Sequence, residues 1–103
     1  MSRPVNAARG EVTAVLAGEP RRLCLTLGAL AEIEGALGVE GFEALAGRLR
    51  RLSAGDLMTV LAALLRGGGE AAFADGLATA RVEVREAAQA VAAAFSASSG
   101  PGT

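Results

Sequence analysis

The hydrophobic positions change their spacing once near the start of the chain, from every second residue to the repeat of a helix. Residues 11–16 alternate between two faces. One face carries three apolar residues, which are Val12, Ala14 and Leu16. The other face carries Glu11, Thr13 and Val15. This alternation predicts a half-buried β-strand.

A second alternating run predicts the partner strand of a β-hairpin. One face carries Leu23, Leu25 and Leu27, and the opposite face carries Arg22, Cys24 and Thr26. The four residues between the runs, Ala17-Gly18-Glu19-Pro20, contain both Gly and Pro, which favour the backbone angles of tight turns. The sequence therefore predicts two antiparallel strands joined by a short loop.

A helical repeat begins directly after the second strand. Its apolar positions are Leu30, Ile33 and Leu37, flanked by Ala29 and Ala36. The Thr26 hydroxyl is placed to accept a hydrogen bond from a first-turn N–H, and Gly38 is placed to end the helix. The chain is therefore expected to pass from strand to helix without a linker.

The rest of the chain predicts a bundle of short helices. Their ranges are residues 42–52, a helix from the capping sequence 53–56 to Arg66, residues 71–77 and residues 82–95. Their apolar stripes are Phe42, Leu45, Ala46 and Leu49; Leu57, Val60, Leu61 and Leu64; Phe73 and Leu77; and Val84, Ala88, Val91 and Phe95. The predicted fold class is α+β, mostly α: an N-terminal two-stranded β-hairpin followed by a bundle of four to five short helices.

The predicted domain organisation follows from these elements. Residues 1–9 are expected to form a flexible N-terminus, residues 10–96 a single domain, and residues 97–103 a disordered tail. The chain is 51% hydrophobic but only 3% aromatic, so its core is expected to be aliphatic and rich in small alanines. Part of its apolar surface is then expected to need a partner.

The net charge indicates which kinds of partner the protein binds, and the cysteine content indicates the cellular compartment in which it acts. The net charge of −1 gives no overall field that favours nucleic acid or an anionic membrane. Arg48, Arg50 and Arg51 favour a solvated helix end, with a small nucleic-acid-binding regulator as the weaker alternative. The lone Cys24 fits a reducing cytoplasm, and the apolar run 57–65 is shorter than the about 20 residues that span a membrane.

The residue types of common catalytic and metal sites are largely missing. The chain has no His, no Lys and one Cys. This composition removes the commonest general base, Schiff-base chemistry and a zinc site of Cys and His within one chain. The glycines at residues 67–69 follow a predicted helix rather than a strand, so they favour a helix stop over a phosphate-binding loop. The sequence predicts neither an enzyme nor a cofactor or metal site.

Four hydrophobic residues lie off the main apolar stripes and are candidates for binding a partner. They are Val15, Met58, Leu65 and Val82. One interpretation is that the stripes are wide or that another helix covers these residues. The other is a groove for an amphipathic helix or an extended segment of a partner.

The first part of the chain resembles a known family. The residues that carry the resemblance are GEV at 10–12 and GEPRRLCLTLGALAEIE at 18–34, supported by LSAGDL at 52–57, LLRGGGE at 64–70 and AF at 94–95. This pattern resembles the tail assembly protein of gene transfer agents and related tailed phages of alphaproteobacteria. The family is labelled a phage tail tube protein and is otherwise grouped with tail assembly chaperones.

The resemblance implies a non-catalytic role in building the tail of a phage-like particle. A tail assembly chaperone is expected to coat the helical, aggregation-prone tape-measure protein until the tail tube protein replaces it. The alternative is a permanent structural subunit of the tail tube. The expected partners are therefore the tape-measure protein and the tail tube protein, with homo-oligomerisation left open and neither specific nucleic acid nor membrane. The expected location is the cytoplasm, as an assembly intermediate, with the particle tail as the alternative.

Overall fold

Two antiparallel strands, β1 (Glu11–Leu16) and β2 (Glu19–Cys24), form the hairpin that the alternating pattern predicts. The structure is a computed structural model and describes residues 10–98. The loop has two residues, Ala17 and Gly18, with φ angles of 54° and 84°. Positive φ at both positions is typical of a type I′ turn, which matches the twist of the strands that it joins. The loop is therefore two residues shorter than predicted, because residues 19 and 20 already belong to β2.

Five α-helices follow the hairpin within the described residues. They are α1 (Leu27–Leu37), α2 (Phe42–Arg48), α3 (Ala54–Gly67), α4 (Ala71–Asp75) and α5 (Val84–Ser98), with single 3₁₀ turns at Leu49–Arg51 and Leu77–Thr79. The predicted fold class, a hairpin followed by short helices, is confirmed.

The predicted ends of α1 and the predicted start of α3 are confirmed by their capping interactions. The Thr26 hydroxyl accepts a hydrogen bond of 3.0 Å from the N–H of Ala29. At the other end, Gly38 adopts the left-handed conformation, with a φ of 72°. The Ser53 hydroxyl accepts a hydrogen bond of 3.1 Å from the N–H of Asp56, at the start of α3. Each cap satisfies groups that the first and last helical turns leave unpaired.

Two helices differ from their predicted bounds. Helix α2 ends at Arg48 and tightens into a 3₁₀ turn, so the predicted single helix over residues 42–52 is divided. Helix α5 starts two residues later than predicted and continues to Ser98. Residues 97 and 98, predicted as disordered tail, are therefore helical. The predicted flexible N-terminus, residues 1–9, and the remainder of the predicted tail, residues 99–103, lie outside the described residues.

Several residues face differently from the prediction. Leu27 is exposed because the strand has ended and Thr26 already caps α1, so the alternation no longer applies. Cys24 is buried together with its neighbour Leu23, although the alternation predicts opposite faces, and the C-terminal end of α3 lies against its backbone. On α5, Val84 and Ala88 are exposed. The residues that face the core instead are Ala87, Ala90, Val91, Ala94 and Phe95.

Helix α3 lies at the centre of the fold and packs against α1, α4, α5 and β2. Every residue from Val60 to Leu65 is buried. The predicted stripe of Leu57, Val60, Leu61 and Leu64 is therefore too narrow, since Ala62, Ala63 and Leu65 are buried as well. A helix segment with neighbours on most sides loses the one-sided pattern of a surface helix.

The C-terminal end of α3 lies directly against the backbone of β2. A Cβ atom added to Gly67 would lie 2.1 Å from the carbonyl oxygen of Cys24, and one added to Gly68 would lie 2.2 Å from that of Arg22. These distances are far below van der Waals contact, and the atoms in the way are backbone. Only glycine therefore allows this approach of helix to strand.

Glu70, just beyond these glycines, forms hydrogen bonds with the same edge of β2. One carboxylate oxygen accepts a hydrogen bond of 3.0 Å from the backbone N–H of Arg22. The other accepts one of 3.3 Å from the guanidinium of Arg21, which also lies 4.1 Å from the centre of the Phe73 ring. The loop between α3 and α4 thus supplies a partner for a strand edge that β1 does not reach.

Because α3 lies so close to β2, two glycine-to-alanine substitutions are expected to change the free energy of unfolding by very different amounts. Gly68→Ala is expected to lower the free energy of unfolding by about 3 kcal/mol or more, because the methyl group forces α3 away from β2. Gly35→Ala is the matched control, since nothing lies within 4 Å of the added Cβ. It is expected to raise stability by about 0.5–1 kcal/mol, because alanine favours a helix interior. Urea denaturation measures both, and equal effects would contradict the close contact.

Candidate functional site: an apolar groove beside helix α3

An open groove runs between the N-terminal half of α3 and the segment that leads into α5. Its walls are apolar and consist of Ala54, Leu57, Met58, Leu61, Leu77, Val82, Val84 and Ala87. We call this set the apolar groove. Its volume of about 130 Å³ is close to the ~150 Å³ of a cavity that accommodates benzene. It therefore has room for one or two aliphatic side chains of a partner.

Local hydrogen bonds hold both walls of the apolar groove. The Ser53 cap fixes the start of α3, and the carboxylate of Asp56 binds the guanidinium of Arg48 at 2.6 Å. On the opposite wall, the Glu86 side chain accepts a hydrogen bond of 3.3 Å from the backbone N–H of Glu83. This is one half of a capping box, and it sets the point at which α5 begins.

Two of the four predicted partner-binding residues lie together in the apolar groove. Met58 is 40% exposed on α3, and Val82 is half-buried on the opposite wall. Val15 is 58% exposed but lies on the hairpin, outside the groove. Leu65 is fully buried, because other elements cover the face of α3 on which it lies. It belongs to the core and does not line the apolar groove, so its role in partner binding stays a prediction.

The sequence pattern missed Val84 as a residue of the groove. It was assigned to the buried stripe of the last helix, but its side chain is 70% exposed. Val84 is the first residue of α5, ahead of the part that packs on the core. The cap between Glu83 and Glu86 is the sequence feature that locates this helix start.

A second depression adjoins the apolar groove and shares Met58 and Leu77 with it. Its other lining residues are Glu32, Thr59, Ala62, Arg66, Ala74, Asp75 and Ala78. We call this set the polar depression. Arg66 is its central charge and forms ion pairs with Glu32 and with Asp75, the latter at 3.6 Å. An apolar surface and a charged one thus lie side by side along α3.

The remaining candidate features have structural explanations. Arg48 pairs with Asp56 and also donates a hydrogen bond of 2.8 Å to the carbonyl oxygen of Arg51, so the predicted arginine cluster is partly neutralised.

Across residues 10–98, no group of three or more His, Cys, Asp or Glu side chains is arranged to hold a metal ion. The helices of this part of the chain are all too short or too polar to cross a membrane.

The comparison with protein families identifies the class of protein to which this chain belongs. A family model described as phage tail tube protein, GTA-gp10, matches residues 9–98, a range that includes every described residue. The protein is therefore a phage-like tail protein. More particularly, the chain belongs to the GTA-gp10 family of phage tail tube proteins, as its resemblance to gene transfer agent tail proteins indicates. Neither the curated proteins nor the solved structures that were searched contain a match.

Leu65 is buried and Met58 is partly exposed. Shortening the two side chains to alanine is therefore expected to lower the free energy of unfolding by different amounts. Leu65→Ala is expected to lower the free energy of unfolding by about 2–5 kcal/mol, because it leaves a cavity in the core. Met58→Ala is expected to cost about 1 kcal/mol or less, because much of this side chain is already in water. Urea denaturation of both variants tests the assignment, and a similar loss for both would contradict it.

Proposed function

We propose that the protein is a non-enzymatic tail assembly factor of a gene transfer agent or prophage, which chaperones the tape-measure protein while the tail tube is built. The observation that carries this proposal is the open apolar groove in a member of a phage tail family. The protein would act in the cytoplasm, before the tail is complete. It would bind the tape-measure protein and give way to the tail tube protein.

The apolar groove suits an amphipathic helix as its occupant. Such a helix presents apolar side chains at intervals of three and four residues, and a groove between two helices receives them. Met58 is unbranched and flexible, so it can adapt to different apolar side chains of a helical partner. The exposed side chain of Val84 adds apolar surface on the opposite wall. Covering these side chains would remove apolar area of both partners from water.

The second candidate function is a permanent structural subunit of the tail tube. The family description, phage tail tube protein, favours it. The fold supports it less, because the described residues contribute one two-stranded sheet, whereas a tube subunit is expected to have a longer β-rich body. A nucleic-acid-binding regulator ranks third, because Arg48 is already paired with Asp56.

Co-expression with the tape-measure protein tests the chaperone proposal. The wild-type chain is expected to raise the soluble fraction of the tape-measure protein severalfold, and Met58→Asp is expected to abolish most of this gain, because it places a charge in the apolar groove. Leu27→Asp is the matched control, since it removes an exposed leucine outside the groove. Circular dichroism of each purified variant establishes that it is folded. A tape-measure protein that stays equally insoluble with and without the chain would refute the proposal.

Composition of the mature particle separates the two tail functions. An assembly factor is expected to be absent from purified particles, or present far below the number of tube subunits, because it leaves before the tail is complete. Quantitative mass spectrometry of the particles measures this ratio against the tail tube protein. A ratio near one would support the permanent subunit and contradict the chaperone.

A further inference from the structure

The charged half of the surface along α3 indicates which helices the apolar groove prefers. We propose that the apolar groove and the polar depression together bind a single amphipathic helix that carries a basic side chain about two turns from its apolar anchor. This inference rests on the proposed function and adds the chemistry by which the partner is recognised. It depends on three observations: the two surfaces adjoin, the charges of the depression are unequal, and α3 fixes the distance between the two surfaces.

The two surfaces adjoin because Met58 and Leu77 line both of them. A segment that fills the apolar groove and continues along α3 therefore enters the polar depression. The depression is walled by Glu32 from α1, by Arg66 from α3 and by Asp75 from α4. Three helices thus bring charged side chains to one end of an otherwise apolar surface.

The polar depression favours a cation because its carboxylates outnumber its basic side chains. Glu32 and Asp75 share the single guanidinium of Arg66, which leaves a net charge of −1. Asp75 is the less engaged of the two carboxylates, since its side chain is 73% exposed and lies 3.6 Å from Arg66. It can therefore turn to a basic side chain of the partner. An acidic side chain would instead meet a guanidinium that is already paired and two carboxylates that repel it.

The geometry of α3 sets the spacing. Met58 and Arg66 are eight residues apart on the same helix, which corresponds to about 12 Å at 1.5 Å per residue. A partner helix that lies along α3 covers this distance with about two turns. Its basic residue is therefore expected seven or eight positions from the apolar residue that contacts Met58.

Two synthetic peptides provide the probe for this inference. Both are 18-residue amphipathic helices with the same leucine stripe, and they differ only in a Lys or a Glu placed two turns from the central leucine. The wild-type protein is expected to bind the Lys peptide about two- to fivefold more tightly, the range of an exposed ion pair. Fluorescence anisotropy at low salt measures both dissociation constants. The preference is expected to shrink at high salt, because exposed charges are screened.

Charge variants of the depression give the sharpest test. Asp75→Asn makes the depression neutral and is expected to remove the preference. The double variant Glu32→Gln with Asp75→Asn makes its charge +1 and is expected to invert the preference in favour of the Glu peptide. The matched control is Glu40→Gln with Glu43→Gln, which makes the same change of total charge at exposed positions outside both surfaces. It is expected to keep the wild-type preference.

The outcomes separate this inference from the function on which it rests. Equal binding of both peptides, with Met58→Asp abolishing both, would overturn the charge preference and leave the apolar groove as the binding site. Binding that Met58→Asp does not change, or no binding of either peptide, would overturn the groove itself. A preference that the control variant also loses would show that total charge, rather than the polar depression, is responsible, and would overturn the inference.

Discussion

The contact between the C-terminal end of α3 and the backbone of β2 organises the rest of the structure. Helix α3 can reach the strand only because Gly67 and Gly68 carry no side chain where the carbonyl oxygens of Cys24 and Arg22 approach. The next residues turn the chain so that Glu70 accepts a hydrogen bond from the N–H of Arg22. This junction docks the hairpin on the central helix, and α1, α4 and α5 then pack around α3. The other end of α3 extends to the groove.

Local patterns in the sequence were sufficient to predict the hairpin, the helices and most of their caps. The alternation in β1, the Thr26 cap and the Gly38 stop depend on neighbouring residues only, and the structure confirms them. The faces of α3 and α5 depend on what packs against each helix, so their sequences could not fix them. In α5, alanines at many positions fit more than one stripe, and the buried one is set by close packing against β1 and α3.

The candidate site was only partly predictable for the same reason. Met58 and Val82 were identified as apolar residues off the main stripes, and the fold brings them to the same groove although they are 24 positions apart. Leu65 satisfied the same criterion but is enclosed by neighbours that no local pattern reveals. The polar depression could not be inferred either, because Glu32, Arg66 and Asp75 come from three helices. The site prediction was limited because the residues that form the site are far apart in the sequence, not because their residue types are uninformative.

The junction between α3 and β2 also bears on which tail function the fold suits. Subunits that form a ring by pairing sheet edges each need two edges, one for each neighbour. The outer edge of β2 is already occupied, since the N–H of Arg22 donates to Glu70 and the carbonyl oxygens of Arg22 and Cys24 lie against the glycines of α3. Within the described residues, the hairpin therefore retains at most the edge of β1 for pairing, whereas a continuous ring of strands uses both edges of each sheet. Contacts between side chains in a groove need no free strand edge, and this difference supports the proposed assembly factor over a permanent subunit.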